Sequence, residues 1–162
     1  MPTAYTYRFA WEVCGKEPEK WRPTTREAAD HSLPYIVAAV LIDRDFSDAI
    51  FSHERLRDPR IRQLMDKTEV REDAELTRRF PQCMPCRIEI RTKDGRCVME
   101  ETDNARGHFN NPMTDDEVTA KFRSLAKRVL PHARVEQALA ALWQLDTATG
   151  VNAIFDAVKI GR

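Results

Sequence analysis

Residues Ser32 to Ile42 decide the fold, and they read Ser-Leu-Pro-Tyr-Ile-Val-Ala-Ala-Val-Leu-Ile. Ser32 is a good N-cap, and Pro34 suits the first helical turn, where its missing N–H costs nothing. One side of this helix carries Leu33, Ile36, Val37, Val40 and Leu41, and the other carries Tyr35, Ala38, Ala39 and Ile42. Because a helix that is apolar nearly all round has to be buried, we expect it to lie between two layers.

The segments before this helix predict a strand and a helix start. Aromatic and apolar residues alternate with smaller or polar ones from Tyr5 to Val13, and this period of two predicts a strand with one buried face. Its inward side would consist of Tyr5, Tyr7, Phe9, Trp11 and Val13. Thr24-Thr25-Arg26-Glu27 has the spacing of a capping box.

The segments after it complete a mixed helix and strand pattern. Asp58-Pro59 predicts a helix to about Lys67, with Ile61, Leu64 and Met65 inward, and Thr68 to Arg71 predicts a short strand. Asp94-Gly95, between Arg87–Arg91 and Arg96–Glu100, is a strong hairpin signal. The fold class that follows is α+β, with a small antiparallel hairpin or sheet packed on helices.

The sequence becomes helical after Asn111-Pro112. Thr114-Asp115-Asp116-Glu117 predicts a capping box, and Pro131 ends the helix that it begins. Apolar stripes follow at Val118, Phe122, Leu125 and Val129, then at Val135, Ala138, Leu139 and Leu142, with a last helix predicted over Val151 to Ile160. We expect an α+β domain over residues 1–110 and a helical segment over 111–162. Its apolar faces have little sheet to pack on, which indicates a missing partner.

The composition argues against two classes of partner. The 162 residues include 26 basic and 26 acidic ones, so no net charge favours nucleic acid or an anionic membrane. The longest apolar stretch, Tyr35 to Ile42, is far shorter than the roughly 20 residues of a membrane span. The first residues do not resemble a signal peptide, which predicts a soluble, cytoplasmic protein.

Four cysteines, Cys14, Cys83, Cys86 and Cys97, are expected to be reduced thiols. Cys83 and Cys86 have the C-x-x-C spacing of zinc and redox sites. A structural zinc site needs two further ligands, and no second pair follows. Because the motif runs directly into a predicted strand, a thioredoxin-like site is disfavoured as well.

One long motif, with shorter ones after it, resembles a known family. Residues 21–35 read Trp-Arg-Pro-Thr-Thr-Arg-Glu-Ala-Ala-Asp-His-Ser-Leu-Pro-Tyr, and they are similar to the W-x-P-x-T-R-E-T-A-D-H-S-L-P-Y pattern of the MmgE/PrpD family. Shorter matches follow in order: Asp58-Pro59-Arg60-Ile61-Arg62, Lys93-Asp94-Gly95-Arg96, Gly107-His108, Asn111-Pro112-Met113-Thr114 and Lys121-Phe122. Two departures are Ala28, where the family usually has threonine, and the presence of Cys83 and Cys86.

The resemblance implies a lyase that is divided between two regions. Family members include 2-methylcitrate dehydratase, cis-aconitate decarboxylase and iminodisuccinate epimerase. They are close to three times longer, and they combine a helical domain with an α+β lid. This chain resembles the later part of the lid and the return to the helical domain. The helical region with the catalytic histidine, aspartate and lysine positions would be absent, so the chain alone would have little activity.

The A-D-H-S-L-P-Y form favours the dehydratase branch, and so 2-methylcitrate in propionate catabolism. The resemblance implies no metal or organic cofactor, and it implies a homodimer or a complementary N-terminal helical half as partner. Dehydration needs a base, an acid for the leaving oxygen and donors for several carboxylates.

The predicted catalytic residues are Tyr35 and His31, and the predicted substrate-binding residues are Ser32, Arg26 and His108. His31, Ser32 and Tyr35 lie where a helix N-terminus could bind a carboxylate. Each has a structural alternative. Tyr35 could be a core residue with a satisfied hydroxyl, His31 could orient the helix entry, Arg26 could belong to an ion pair or cap, and His108 could lie in a surface turn.

Two other functions compete with the lyase. The first is a non-catalytic binding or assembly module that keeps the lid fold and hides its apolar tail by self-association. The second, weaker, is a zinc or redox module at Cys83 and Cys86, which a measurement of metal content would test.

Overall fold

A computed structural model describes residues 1–159 of the chain, which divides into two compact units at Ala105 and Arg106. The elements are β1 Pro2–Thr6, α1 Arg8–Trp11, α2 Arg26–Asp30, α3 Leu33–Asp43, α4 His53–Leu56, α5 Pro59–Met65, β2 Glu69–Glu72, α6 Ala74–Arg79, β3 Cys86–Arg91, β4 Cys97–Thr102, α7 Asp115–Ala126, α8 His132–Trp143 and α9 Asn152–Val158. Shorter π- or 3₁₀-helical turns cover Glu12–Lys16, Pro18–Trp21 and Asp48–Phe51. The predicted α+β class is confirmed. Among the helices of residues 1–159, none combines the length and apolar character needed to cross a bilayer.

The first unit contains a four-stranded sheet with the order β2-β1-β3-β4. β1 runs parallel to β2 and antiparallel to β3, and β3 runs antiparallel to β4. The sheet is therefore mixed, although the sequence predicted only antiparallel pairing. The parallel pair follows from the long crossover through α1 to α5, which separates β1 from β2 in the chain.

The central prediction about α3 is confirmed. Ser32 is its N-cap and accepts a hydrogen bond from the Tyr35 amide at 3.2 Å. On one side, Val37 packs with Ala4 and Val70 of the sheet. On the other side, α3 packs against α2 and against residues that follow it in the chain. This second cluster consists of Ala29, Tyr35, Ala38, Ala39, Ile50, Leu56, Ile61 and Met65.

The predicted strand from Tyr5 to Val13 is wrong beyond Thr6. The Arg8 amide donates to the Thr77 hydroxyl at 3.0 Å, and α1 begins there. The predicted inward face is wrong as well, because the alternate residues of β1 are buried and Tyr5 is only half-buried. The reason is tertiary: small Ala4, fully buried, fits beneath α3 where the Tyr5 ring would not.

The helical turn Glu12–Lys16, which follows α1, packs against β2 at Gly15. A Cβ at this position would lie 2.5 Å from the Val70 Cγ1 atom, so only glycine allows this close approach. The predicted helix start at Thr24 is also shifted. The N-cap is Thr25, which accepts from the Ala28 amide at 3.2 Å.

The remaining predictions for the first unit are confirmed within a few residues. α5 buries Ile61 and Met65, and β2 follows it. The β3–β4 hairpin turns at Asp94-Gly95, where Gly95 has a φ of 85°. This left-handed conformation is the one that favours glycine in a short hairpin loop.

The second unit consists of the three tail helices α7, α8 and α9. The predicted capping box is present, with Thr114 and Glu117 bonded to each other's backbone amides. α8 buries Val135, Ala138 and Leu139, whereas α7 buries no residue completely. Val118, Leu125 and Val129, predicted to need burial, are exposed. The last predicted helix is observed over Asn152–Val158, and Ile160 lies outside the described residues.

Candidate functional site

Four of the five predicted site residues lie at the junction between α2 and α3. Arg26 begins α2, His31 ends it as the C-cap, and Ser32 follows as the N-cap of α3. Tyr35 lies in the first turn of α3. His108 belongs to the second unit, in the loop that precedes α7.

His31 is held in a defined orientation although its side chain is 61% exposed. Its Nδ1 atom lies 2.5 Å from a carboxylate oxygen of Asp30 and 3.1 Å from the carbonyl oxygen of Glu27. The Glu27 carbonyl and then the Asp30 carboxylate raise the pKa of His31 above its usual 6.5. Because both contacts use Nδ1, Nε2 is the ring atom that can exchange a proton with a substrate. An Asp–His pair of this kind supports general acid chemistry or the binding of a carboxylate.

Ser32 is fully buried and serves the helix terminus. Its hydroxyl donates to the Lys20 carbonyl and accepts from the Tyr35 amide. The Ile36 amide bonds to the Ser32 carbonyl at 2.9 Å, and Pro34 has no N–H. The helix start therefore does not present the row of free amides that the sequence predicted for a substrate carboxylate. Substrate binding by Ser32 stays a prediction.

Tyr35 is 1% exposed and belongs to the apolar cluster between α3 and α5. Its hydroxyl donates to the Ile50 carbonyl at 2.5 Å. Burial raises the pKa of Tyr35 to about 12, so the phenol stays neutral. Ala38 and Ala39, which follow Tyr35 by about one turn of α3, share the packed cluster with it. This arrangement matches the core-packing alternative, and contact between Tyr35 and a substrate stays a prediction.

Arg26 forms a two-pronged ion pair with Asp48, which lies in the 3₁₀ turn after α3. The pair ties the start of α2 to this turn, as the ion-pair alternative predicted. The guanidinium is about half exposed, and its charge is balanced by the Asp48 carboxylate.

His108 lies in a tight turn that follows Gly107. The Gly107 amide bonds to the Asn111 carbonyl at 2.8 Å, and the Asn111 amide bonds to the His108 carbonyl at 2.7 Å. The His108 Nδ1 atom accepts from the Asn110 amide at 3.2 Å, so Nε2 is the ring atom that carries the proton. This geometry agrees with the alternative that His108 lies in a surface turn. Substrate binding by His108 stays a prediction.

Lys20 is a residue of this junction that the sequence reasoning missed. Its side chain is only 14% exposed, and its ammonium lies 3.5 Å from the Glu19 carboxylate. The positive charge of Lys20 acts on His31 and lowers the pKa of that imidazole, against the larger effects of Glu27 and Asp30. The only available signal was its position directly before the Trp21 motif.

A shallow cavity of about 190 Å³ lies elsewhere in the first unit, between α1 and the end of α6. It is lined by Tyr7, Arg8, Phe9, Glu12, Thr77 and Phe80. The Tyr7 and Phe80 rings stack at 4.6 Å, which gives the cavity an aromatic wall. None of the predicted site residues lines it.

The four cysteines are free thiols in the part of the chain that the structure describes. Burial raises the pKa of Cys14 and of Cys86, so both favour the neutral thiol. Within residues 1–159, no group of three or more histidine, cysteine, aspartate or glutamate side chains could hold a metal ion.

Comparison with known proteins assigns residues 3–145 to the pattern described as the MmgE/PrpD C-terminal domain. Similar proteins include cis-aconitate decarboxylase of Mus musculus, 27% identical over 76% of this chain, and that of Homo sapiens, 26% identical over 90% of it. A 2-methylcitrate dehydratase-like protein of Aspergillus oryzae is 32% identical over 68% of the chain. The matched segments are 25%, 30% and 24% of these three proteins, so the chain spans less than a third of their length.

Proposed function

Because the chain belongs to the MmgE/PrpD family through its C-terminal domain, we propose that it forms the C-terminal part of a lyase acting on a small tricarboxylate. The observation that carries this proposal is the family match over residues 3–145, which includes the α2–α3 junction. Two of the similar proteins are decarboxylases of a tricarboxylate, and a third is dehydratase-like.

In this proposal His31 is the acid or carboxylate-binding group that the chain contributes. Its raised pKa keeps more of the imidazole protonated at neutral pH than in a free histidine. Asp30 holds Nδ1, so Nε2 can donate a proton to a leaving hydroxyl or a hydrogen bond to a carboxylate. Arg26, on the same short helix, is paired with Asp48, so it would have to exchange this carboxylate for one of the substrate to take part in binding.

We place dehydration of 2-methylcitrate first among the reactions. Residues 29–35 have the A-D-H-S-L-P-Y form, and the dehydratase-like protein of Aspergillus oryzae is 32% identical over its matched segment. The second candidate is decarboxylation of cis-aconitate, which the names of the mouse and human relatives favour.

The chain is expected to need a complementary helical part for activity. It corresponds to a quarter to three tenths of the mouse and human relatives, and Val118 and Leu125 in the apolar stripe of α7 are exposed. A complementary surface would cover these side chains, since large exposed apolar patches mark interfaces. If the chain is instead a binding module without a catalytic function, then no complementary helical part should make it active.

The test combines this chain with the helical N-terminal part of a family member and follows both reactions. The absorbance of the conjugated product reports dehydration, and released carbon dioxide reports decarboxylation. The His31→Asn variant should lower kcat by about 100-fold or more, because general acid catalysis contributes about that much. His53→Asn, at an exposed histidine of the same unit, is the matched control and should leave kcat unchanged. Equal rates for both variants would contradict the role given to His31.

A further inference from the structure

Strand β4 forms an open edge of the sheet in the described chain. All six of its residues are exposed, and Val98 and Met99 are 53% and 59% exposed. The Thr92 amide donates to the Arg96 carbonyl at 2.9 Å, so the backbone groups of Arg96 face β3. By alternation, those of Cys97, Met99 and Glu101 point away from the sheet. Without proline, an edge of this kind can accept another strand.

We propose that β4 pairs antiparallel with β4 of a second copy of this chain, around a two-fold axis that passes at Val98. Such an axis runs perpendicular to the sheet, because only then does each face of one sheet continue into the same face of the other. The residue at the axis then lies opposite its own copy. The interface goes beyond the proposed function, since none of the residues assigned to the substrate belongs to β4.

The charges and apolar side chains of β4 select this register over its neighbours. With the axis at Val98, the two valines face each other, Cys97 faces Met99, and Arg96 faces Glu100 on both sides. An axis at Met99 instead places Val98 opposite Glu100 and Cys97 opposite Glu101. An axis at Glu100 places two carboxylates directly opposite each other, which is destabilising. Only the Val98 register combines an apolar centre with two opposite-charge pairs.

The hydrogen-bonding groups and the sheet faces agree with the same register. Cys97 and Met99 face each other in it, and their backbone groups are among those that point outward. Val98 lies opposite Ile90 of its own β3, and Ile90 lies opposite Pro2 of β1. Pairing therefore extends one apolar row from Pro2 through Ile90 and Val98 into the second copy. The strand complements itself, which is why we assign a second copy as the occupant.

The test is sedimentation equilibrium of the full chain, which should show a reversible dimer. Arg96→Glu and Glu100→Arg each place two like-charge pairs across the interface, and each should weaken dimerisation about tenfold or more. An equimolar mixture of the two variants should restore it, because the mixed dimer regains both opposite-charge pairs. Arg71→Glu, an exposed charge on the other edge strand β2, is the matched control and should have no effect.

Three results would overturn the proposal. The first is a chain that stays monomeric at all protein concentrations up to about 1 mM. Its dissociation constant would then exceed about 1 mM, which corresponds to very weak association. The second is a mixture of the charge variants that dimerises no better than either alone. The third is a Val98→Lys variant that keeps the circular dichroism spectrum and the dimer of the parent chain, since two lysines would face each other at the axis.

Discussion

Replacement of Tyr35 by phenylalanine separates the structural role of this residue from a role at the substrate. The ring remains in its cluster, so no cavity forms, but the hydrogen bond from the hydroxyl to the Ile50 carbonyl is lost. A buried carbonyl that loses its partner costs about 1–3 kcal/mol. We therefore expect Y35F to lower the free energy of unfolding by that amount, which corresponds to about 2–4 °C in Tm for each kcal/mol in a chain of this size.

The assay is urea unfolding of the chain followed by tryptophan fluorescence, because Trp11 and Trp21 report on the first unit. Tyr7→Phe is the matched control: its ring stacks on Phe80 at 4.6 Å, and phenylalanine keeps that stacking. Its effect should stay within about 0.5 kcal/mol. A Y35F chain as stable as its parent, but with kcat of the assembled enzyme reduced 100-fold, would refute the packing account and support contact with the substrate.

The dependence of folding stability on alkaline pH provides a second test of the role of Tyr35. The pKa of Tyr35 is raised from 10.0 to about 12 by burial, so the folded chain favours the neutral phenol. Above the unfolded pKa the unfolded chain ionises first. The contribution of Tyr35 is therefore complete below about pH 10 and is lost as the pH rises towards 12. Y35F should lack this step in its stability profile.

Two further predictions concern the first unit. Gly15→Ala should destabilise the chain by about 1–3 kcal/mol in urea unfolding, because its Cβ would lie 2.5 Å from Val70 Cγ1. Val70→Ala in the same chain should remove most of the additional cost, whereas Gly150→Ala, with nothing within 4 Å, should be neutral; an equal cost at both glycines would contradict the clash. His31 should titrate above 6.5 in an NMR pH series, and Asp30→Asn should lower its pKa towards that value, because the aspartate stabilises the protonated ring. An unchanged pKa in the variant would show that Asp30 does not hold His31.

The parts of the fold that the sequence predicted correctly are those with local causes. Ser32 and Pro34 define the start of α3 within a few residues, and the absence of a polar face on α3 predicts its burial. Asp94-Gly95 specifies the hairpin because the turn itself needs a left-handed residue. The Thr114 capping box likewise involves only neighbours in the chain.

The failures concern contacts between distant segments. The alternation from Tyr5 to Val13 fits a strand equally well in either phase, and the fit of Ala4 beneath α3 decides which face is buried. The need for glycine at position 15 follows only from its contact with Val70, which is distant in the chain. At the candidate site, the surroundings of Tyr35 depend on Ile50, which lies in a 3₁₀ turn that no sequence pattern indicated. Lys20 was missed because part of its role passes through its backbone carbonyl, which any residue could supply.

The rate of product formation from 2-methylcitrate and cis-aconitate tests most directly whether this chain is part of a lyase. It is measured for the 162-residue chain alone and after adding the helical N-terminal part of a family member. We predict no turnover by the chain alone and turnover by the mixture that depends on His31. Turnover by the chain alone at the rate of the mixture would mean that its own residues form a complete site, and an inactive mixture would contradict its assignment as part of a lyase.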